Sequence, residues 1–200
     1  MFYFWELTMS KYKIAILVSG AGTNAINIIE YFKENTIIEV GIVISNKSAA
    51  LALEKAQKRE VKTLVFNNDT FKKKGEVLDV LQSLSINFIV LAGFLMKVPS
   101  EIIHAYPNKI VNIHPSLLPK FGGKGMYGRH VHRSVIDAQE EESGISIHFV
   151  NEEYDQGDII FQSRVKVNKT DTPESLAKKI QHIEQRYFPR VIEEVINKII

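Results

Sequence analysis

Between Lys13 and Ala92 the chain repeats one pattern: a short continuous apolar run, then a stretch with helical spacing. The runs Lys13–Val18, Val40–Ile44, Lys62–Phe66 and Asn87–Ala92 are too short for buried helices. They read as strands, and Asn87–Ala92 is continuous enough in hydrophobicity to be a central strand covered on both sides. Helical spacing follows each of the first three: Ile26, Ile29 and Phe32 share a face, Ala49–Arg59 is rich in Ala, Leu, Glu and Lys, and Phe71–Leu84 makes a third helix. Strands joined through helices must cross over, and right-handed crossovers place helices on both faces of the sheet. The pattern therefore predicts an α/β fold with a doubly wound, mainly parallel, Rossmann-like sheet.

The second half varies the theme. Pro99–Ala105 predicts a short helix, Ile110–Ile113 a strand, Lys120–Gly128 a long Gly-rich loop and Arg129–Ala138 a helix. Ile145–Val150 and Ile159–Val167 are strands joined by the acidic loop Asn151–Asp158, short enough for an antiparallel or bulged hairpin. Thr172-Pro173-Glu174 caps a last helix whose Leu176, Ile180, Ile183, Phe188, Val191 and Val195 dock on the sheet. Two hundred residues suit one such domain, taken as residues 11–200. Residues 1–10 read as an N-terminal extension, from an upstream start codon or as a packing flap, because Met9 stands just ahead of the first strand.

Within this frame Asn112-Ile113-His114-Pro115 carries the most chemistry. Residues two apart in a strand share a face, so Asn112 and His114 point together, and Pro115 keeps His114 extended. Pro119 with Gly122-Gly123 then forces a loop. An amide that donates to an oxyanion beside an imidazole that moves a proton suits acyl or formyl transfer to an amine. The competing reading is a buried His bonded to a carbonyl beside a turn-closing Asn.

Ligands of doubly wound sheets bind at the strands' carboxyl ends, which gathers the turn at Gly20, Gly93, His114 and the acidic loop on one rim. Gly20-Ala21-Gly22-Thr23-Asn24-Ala25 fits the dinucleotide pattern G-x-G-x-x-A. However, the second strand ends in Ser45-Asn46 rather than in the acidic residue a dinucleotide ribose requires, and Glu39 stands at the strand's other end. Thr23 and Asn24 suit a phosphomonoester instead; a plain tight turn with Asn24 as cap remains the alternative. Asp155 can lie against the His114 ring, while Glu152, Glu153 and Asp158 read as solvated. His104, His148 and His182 need no chemistry. His130 and His132 can touch a substrate, form a transient metal pair, or serve as a cap or rim.

With 25 basic and 23 acidic residues the chain carries +2 and no basic stripe, so nucleic acid is not an expected partner, and Lys72-Lys73-Lys74 reads as a solvated helix face. Cysteine is absent, which excludes disulfides and thiolate chemistry, and no zinc-helix motif occurs. Met1–Trp5 is too short to span a bilayer. These features predict a cytoplasmic protein with no membrane partner, and they leave open whether it is a monomer or a homodimer.

The segments Ser19–Asn24, Ser45–Lys47, Leu91–Phe94, Asn112–Pro119, Ser146–Val150 and Tyr154–Gly157 together closely resemble the 10-formyltetrahydrofolate-dependent formyltransferases. N-x-H-P-S-L-L-P is similar to the motif shared across that family and its related hydrolases. S-G-x-G-[ST]-N resembles the phosphoribosylglycinamide branch, which works in purine biosynthesis. The resemblance implies that Asn112, His114 and Asp155 are catalytic and that Gly22, Thr23 and Asn24 bind the substrate phosphate. It further implies that Glu184 contacts the glycinamide part and that folate lies against Leu95, Met96, Lys97 and Val98. The formyl donor is then 10-formyltetrahydrofolate, with neither metal nor NAD. The chain departs from the pattern in Leu95-Met96-Lys97, which stands where the family has Met-Arg, and in the longer loop Phe121–Arg129, whose Lys124 either reaches phosphate or is simply solvated. Hydrolysis of the formyl donor is the nearest rival. The extra N-terminal domain of such hydrolases and the extra C-terminal domain of the methionyl-tRNA and sugar formyltransferases are not expected here. A non-catalytic nucleotide or folate binder is the rival from another class.

Overall fold

The computed structural model of the chain describes residues 11–66 and 75–200. The N-terminal extension, the expected start of the third helix at Phe71 and the Lys72–Lys74 face lie outside the described residues.

The elements run β1 (Tyr12–Val18), α1 (Thr23–Phe32), β2 (Ile38–Ser45), α2 (Leu51–Gln57), β3 (Thr63–Val65), α3 (Glu76–Ser83), β4 (Phe88–Leu91) and α4 (Ser100–Ala105). They continue with β5 (Ile110–His114), α5 (Arg129–Asp137), β6 (Glu142–Phe149), β7 (Ile159–Lys166) and α6 (Pro173–Asn197). Among the described residues seven strands form one sheet in the order β3-β2-β1-β4-β5-β6-β7, parallel from β3 to β5, with β6 antiparallel to β5 and β7 antiparallel to β6. This is the expected α/β, doubly wound, mainly parallel architecture.

The two faces explain the continuous apolar runs. Alternate residues of each central strand enter different cores: Ile14, Ile16, Val18, Phe88 and Val90 pack with α1, α2 and α6. Ala15, Leu17, Ile89 and Leu91 pack with α3 and α4. Both series are nearly inaccessible to solvent. Burying each large apolar side chain contributes about 1.5–3 kcal/mol. Exposed pairs such as Lys58–Glu54 and Arg164–Glu142 are screened by water, so the two cores and not the surface charges hold the sheet.

Helix α6 begins as its sequence predicts. The Thr172 side chain accepts from the Ser175 backbone N–H and Ser175 returns a bond to the Thr172 backbone, completing a capping box ahead of Pro173. Strand β6 starts earlier than expected, at Glu142, because Gly144 lies flat against β7: a Cβ there would stand 2.0 Å from the Ser163 carbonyl oxygen. The expected hairpin is antiparallel and bulged, with a register shift at Ile147/His148. Among the described residues no helix is long and apolar enough to cross a membrane.

Candidate active site

A cleft of about 820 Å³ opens at the carboxyl ends of β1, β4 and β5, and all of the expected site residues line it. Its near wall is the turn after β1. Gly22 has φ +71°, and a Cβ there would come within 2.4 Å of the Ala52 Cβ, so glycine is required for both conformation and close helix approach. The Gly20 carbonyl accepts from the Ala52 N–H at 3.2 Å, and Lys55 Nζ donates to the Ala21 carbonyl at 2.9 Å, placing one cation beside the turn.

Asn24 is not a helix cap; Gly22 takes the N-cap position of α1 without a side-chain bond. Instead Asn24 Nδ2 donates to Glu184 Oε2 of α6 at 2.9 Å, while its buried Oδ1 has no partner. Burial pushes the Glu184 carboxyl up from its usual range, and the Asn24 bond only partly opposes this.

Ser19 ties the turn to the opposite wall. Its hydroxyl donates to Asn46 Oδ1 at 2.6 Å and accepts from the Leu95 N–H at 3.0 Å, so the ends of β1 and β2 hold the loop after β4. Leu95 and Lys97 are exposed on that loop and Val98 is buried in the core beneath it. Lys97 Nζ stands 5.8 Å from the Tyr154 ring centre across the cleft mouth.

The floor is built by β5 and the β6–β7 loop. Val111 and Ile113 enter the core shared with α6, which leaves Asn112 and His114 together on the other face. His114 Nε2 meets the Phe121 carbonyl at 2.8 Å; a carbonyl only accepts, so Nε2 carries a hydrogen. The other nitrogen, Nδ1, faces Asp155 Oδ2 at 3.5 Å and is the position from which a proton can come and go. Asp155 sits at φ +55°, with Oδ2 accepting from the Gly123 N–H at 2.9 Å. The Gly-rich loop and the acidic loop thus hold one another across the His114 ring.

One histidine expectation needs correction. His148 is part of the site: β6 pairs antiparallel with β5 so that His148 lies directly opposite Asn112, and its Nε2 is 3.1 Å from Asn112 Nδ2 and 3.7 Å from Asp155 Oδ1. His130 and His132 form no pair. His130 is exposed edge-on to Tyr127, whereas His132 is buried in the cleft wall with Nδ1 unpartnered, its basicity lowered by burial and by His114. His104, on its exposed helix, pairs with Glu152 at 2.8 Å. Among the described residues no group of three His, Cys, Asp or Glu side chains could hold a metal ion.

Residues 12–192 match the formyl transferase family. The phosphoribosylglycinamide formyltransferase of Arabidopsis thaliana chloroplasts is 40% identical over 90% of this chain, and the chain spans 64% of that relative's length, just under two thirds. The Haemophilus influenzae phosphoribosylglycinamide formyltransferase is 37% identical over 90% of this chain and 85% of its own. The crystal structure of the Bacillus halodurans phosphoribosylglycinamide formyltransferase superposes with a TM-score of 0.85 at 36% identity, covering 94% of this chain and 97% of that one.

Proposed function

The chain belongs to the formyl transferase family, and we propose that it moves a formyl group from 10-formyltetrahydrofolate to the primary amine of phosphoribosylglycinamide, a step of purine biosynthesis. The observation that carries this reading is the single cleft in which Asn112, His114 and Asp155 face the Gly22–Asn24 turn. A phosphate seated on the turn's backbone N–H groups, with Lys55 beside them, directs the amine end of the substrate toward His114. Folate lies along Leu95–Val98 with its formyl carbon over Asn112.

In the reaction the amine nitrogen forms a bond to the formyl carbon, and the carbonyl electrons move to oxygen. The amide N–H of Asn112 and the protonated His114 ring stabilise that oxyanion. Asp155 holds the ring and relays the proton lost by the amine to the departing N10 nitrogen, whose bond to the formyl carbon breaks. The His114–Asp155 separation is longer than a hydrogen bond, as is common for catalytic pairs before substrate binds. The reaction as written calls on neither metal nor NAD, and the end of β2, where a dinucleotide ribose would need a carboxylate, is occupied by the Ser19–Asn46 bond. Both substrates are charged and water-soluble, and we place the reaction in the cytosol.

The test is to incubate the protein with 10-formyltetrahydrofolate alone and with the ribonucleotide. Folate release that depends on the amine supports transfer, and equal release without it means hydrolysis. Thermal stabilisation by the ribonucleotide but not by NAD is expected from the same site, since a ligand that binds only the native state raises its stability.

Two substitutions probe the walls. Glu184 holds its proton more tightly when folded than when unfolded, so its contribution to stability is complete below the usual carboxylate value and is lost as pH rises through the elevated folded value. Glu184→Gln should therefore raise the melting temperature at neutral pH and flatten its pH dependence, while weakening ribonucleotide binding. An unchanged ribonucleotide affinity would remove Glu184 from the substrate site. Lys97→Ala loses an exposed cation, so folate KM should rise about two- to fivefold at low salt and less at high salt, with the loss falling on KM rather than kcat. A collapse in kcat would place Lys97 in the chemistry.

A further inference from the structure

Asn112 can serve an oxyanion only if its amide presents nitrogen, not oxygen, to the reacting carbon. Nothing in the side chain itself chooses, since the two ends of an amide are nearly isosteric. The choice is made outside it. His148 Nδ1 is 2.7 Å from the Phe149 carbonyl oxygen, which can only accept, so Nδ1 carries a hydrogen. In a neutral ring Nε2 is then a bare acceptor, and the group 3.1 Å from it must be the Asn112 amide nitrogen. One Asn112 N–H is consumed in this bond and the other is left for the cleft.

We propose that His148 is the positioning residue for Asn112: a neutral imidazole, locked in one tautomer by the Phe149 carbonyl, that selects the orientation of the amide. This rests on the formyl-transfer reading above. A proton on Nε2 would face two donors together, and the amide would turn to offer its oxygen to His148. The carbonyl oxygen and N–H group would exchange places, and the oxyanion would meet a lone pair.

The surroundings keep the ring neutral. His148 is 2% exposed, and burial pushes its basicity down. The ionisable groups facing it are Asp155 from the β6–β7 loop, which favours the proton, and His114 from β5, which opposes it. The Phe149 carbonyl also favours the proton, and burial outweighs both.

The test begins with wild-type protein labelled with nitrogen-15, in which imidazole spectra at neutral pH report which nitrogen of each ring is protonated; the His148 signals are assigned by their loss in His148→Gln. A Nδ1-protonated, Nε2-bare ring is expected. An Nε2-protonated or doubly protonated ring would overturn the proposal, whatever the enzyme's substrate proves to be. Kinetics then separate positioning from mere packing. His148→Ala should lower kcat about tenfold to hundredfold with little change in either KM. In His148→Gln the amide oxygen accepts the same bond and does not titrate, so most of kcat should return and its acid-side fall should move to lower pH. A glutamine variant no better than alanine, or a loss confined to KM, would contradict the assignment.

Discussion

A His114→Ala protein is expected to fold, to bind the ribonucleotide, and to turn over about a hundredfold to ten-thousandfold more slowly than wild type, the range for removing a general acid–base group. The size follows from what the ring touches. His114 is 3% exposed, yet only one nitrogen is used for structure, in the bond to Phe121. The other faces Asp155 at the cleft floor, where a proton must pass. Losing the Phe121 bond should loosen the Gly-rich loop and lower the melting temperature modestly, because the sheet beneath is held by the apolar cores. Turnover, melting temperature and ribonucleotide affinity measured on one preparation check this. Near-normal turnover in the folded variant would make His114 a structural histidine.

Gly157→Ala is expected to damage stability and rate together, although it touches no substrate. A Cβ at this position would lie 1.8 Å from the Phe149 carbonyl oxygen and 2.7 Å from its carbon, both backbone atoms that cannot swing away. The Phe149 N–H donates to the Asp158 carbonyl at 2.9 Å, so the two chain segments are pinned at this separation. Alanine must force them apart and displace Asp155, two residues away, from the His114 ring. Forced overpacking of this kind costs about 1–3 kcal/mol. A misplacement of about 1 Å at the reacting groups costs about a hundredfold in rate. Chemical denaturation and kcat measured side by side test both parts. A variant with wild-type stability and rate would mean that the hairpin does not set the position of Asp155.

The central fold was legible because burial on both faces leaves a direct trace: Asn87–Ala92 is apolar throughout, whereas an antiparallel strand with one wet face would alternate. Asn112 and His114 were legible for a local reason, the two-residue period of a strand closed by Pro115. His148 was not, because its place depends on the register of β6 against β5, set by pairing between residues more than thirty positions apart in the chain. Ser-Ile-His-Phe alternates in the same way whether or not an amide lies opposite. The Asn24–Glu184 bond spans a still longer separation, and only the family resemblance placed Glu184 near the turn. The early start of β6 left no apolar trace, since Ser143-Gly144 joins the strand through its fit against β7.

The most direct measurement is to follow a carbon-13 formyl group. The protein is supplied with 10-formyltetrahydrofolate labelled at the formyl carbon, together with phosphoribosylglycinamide, and the carbon spectrum is read as the reaction proceeds. The expected result is loss of the folate signal with matching growth of one formamide signal on the ribonucleotide, and growth slower by about a hundredfold or more with His114→Ala at the same protein concentration. Label released as free formate, or retained on folate while the ribonucleotide remains unmodified, would contradict the account.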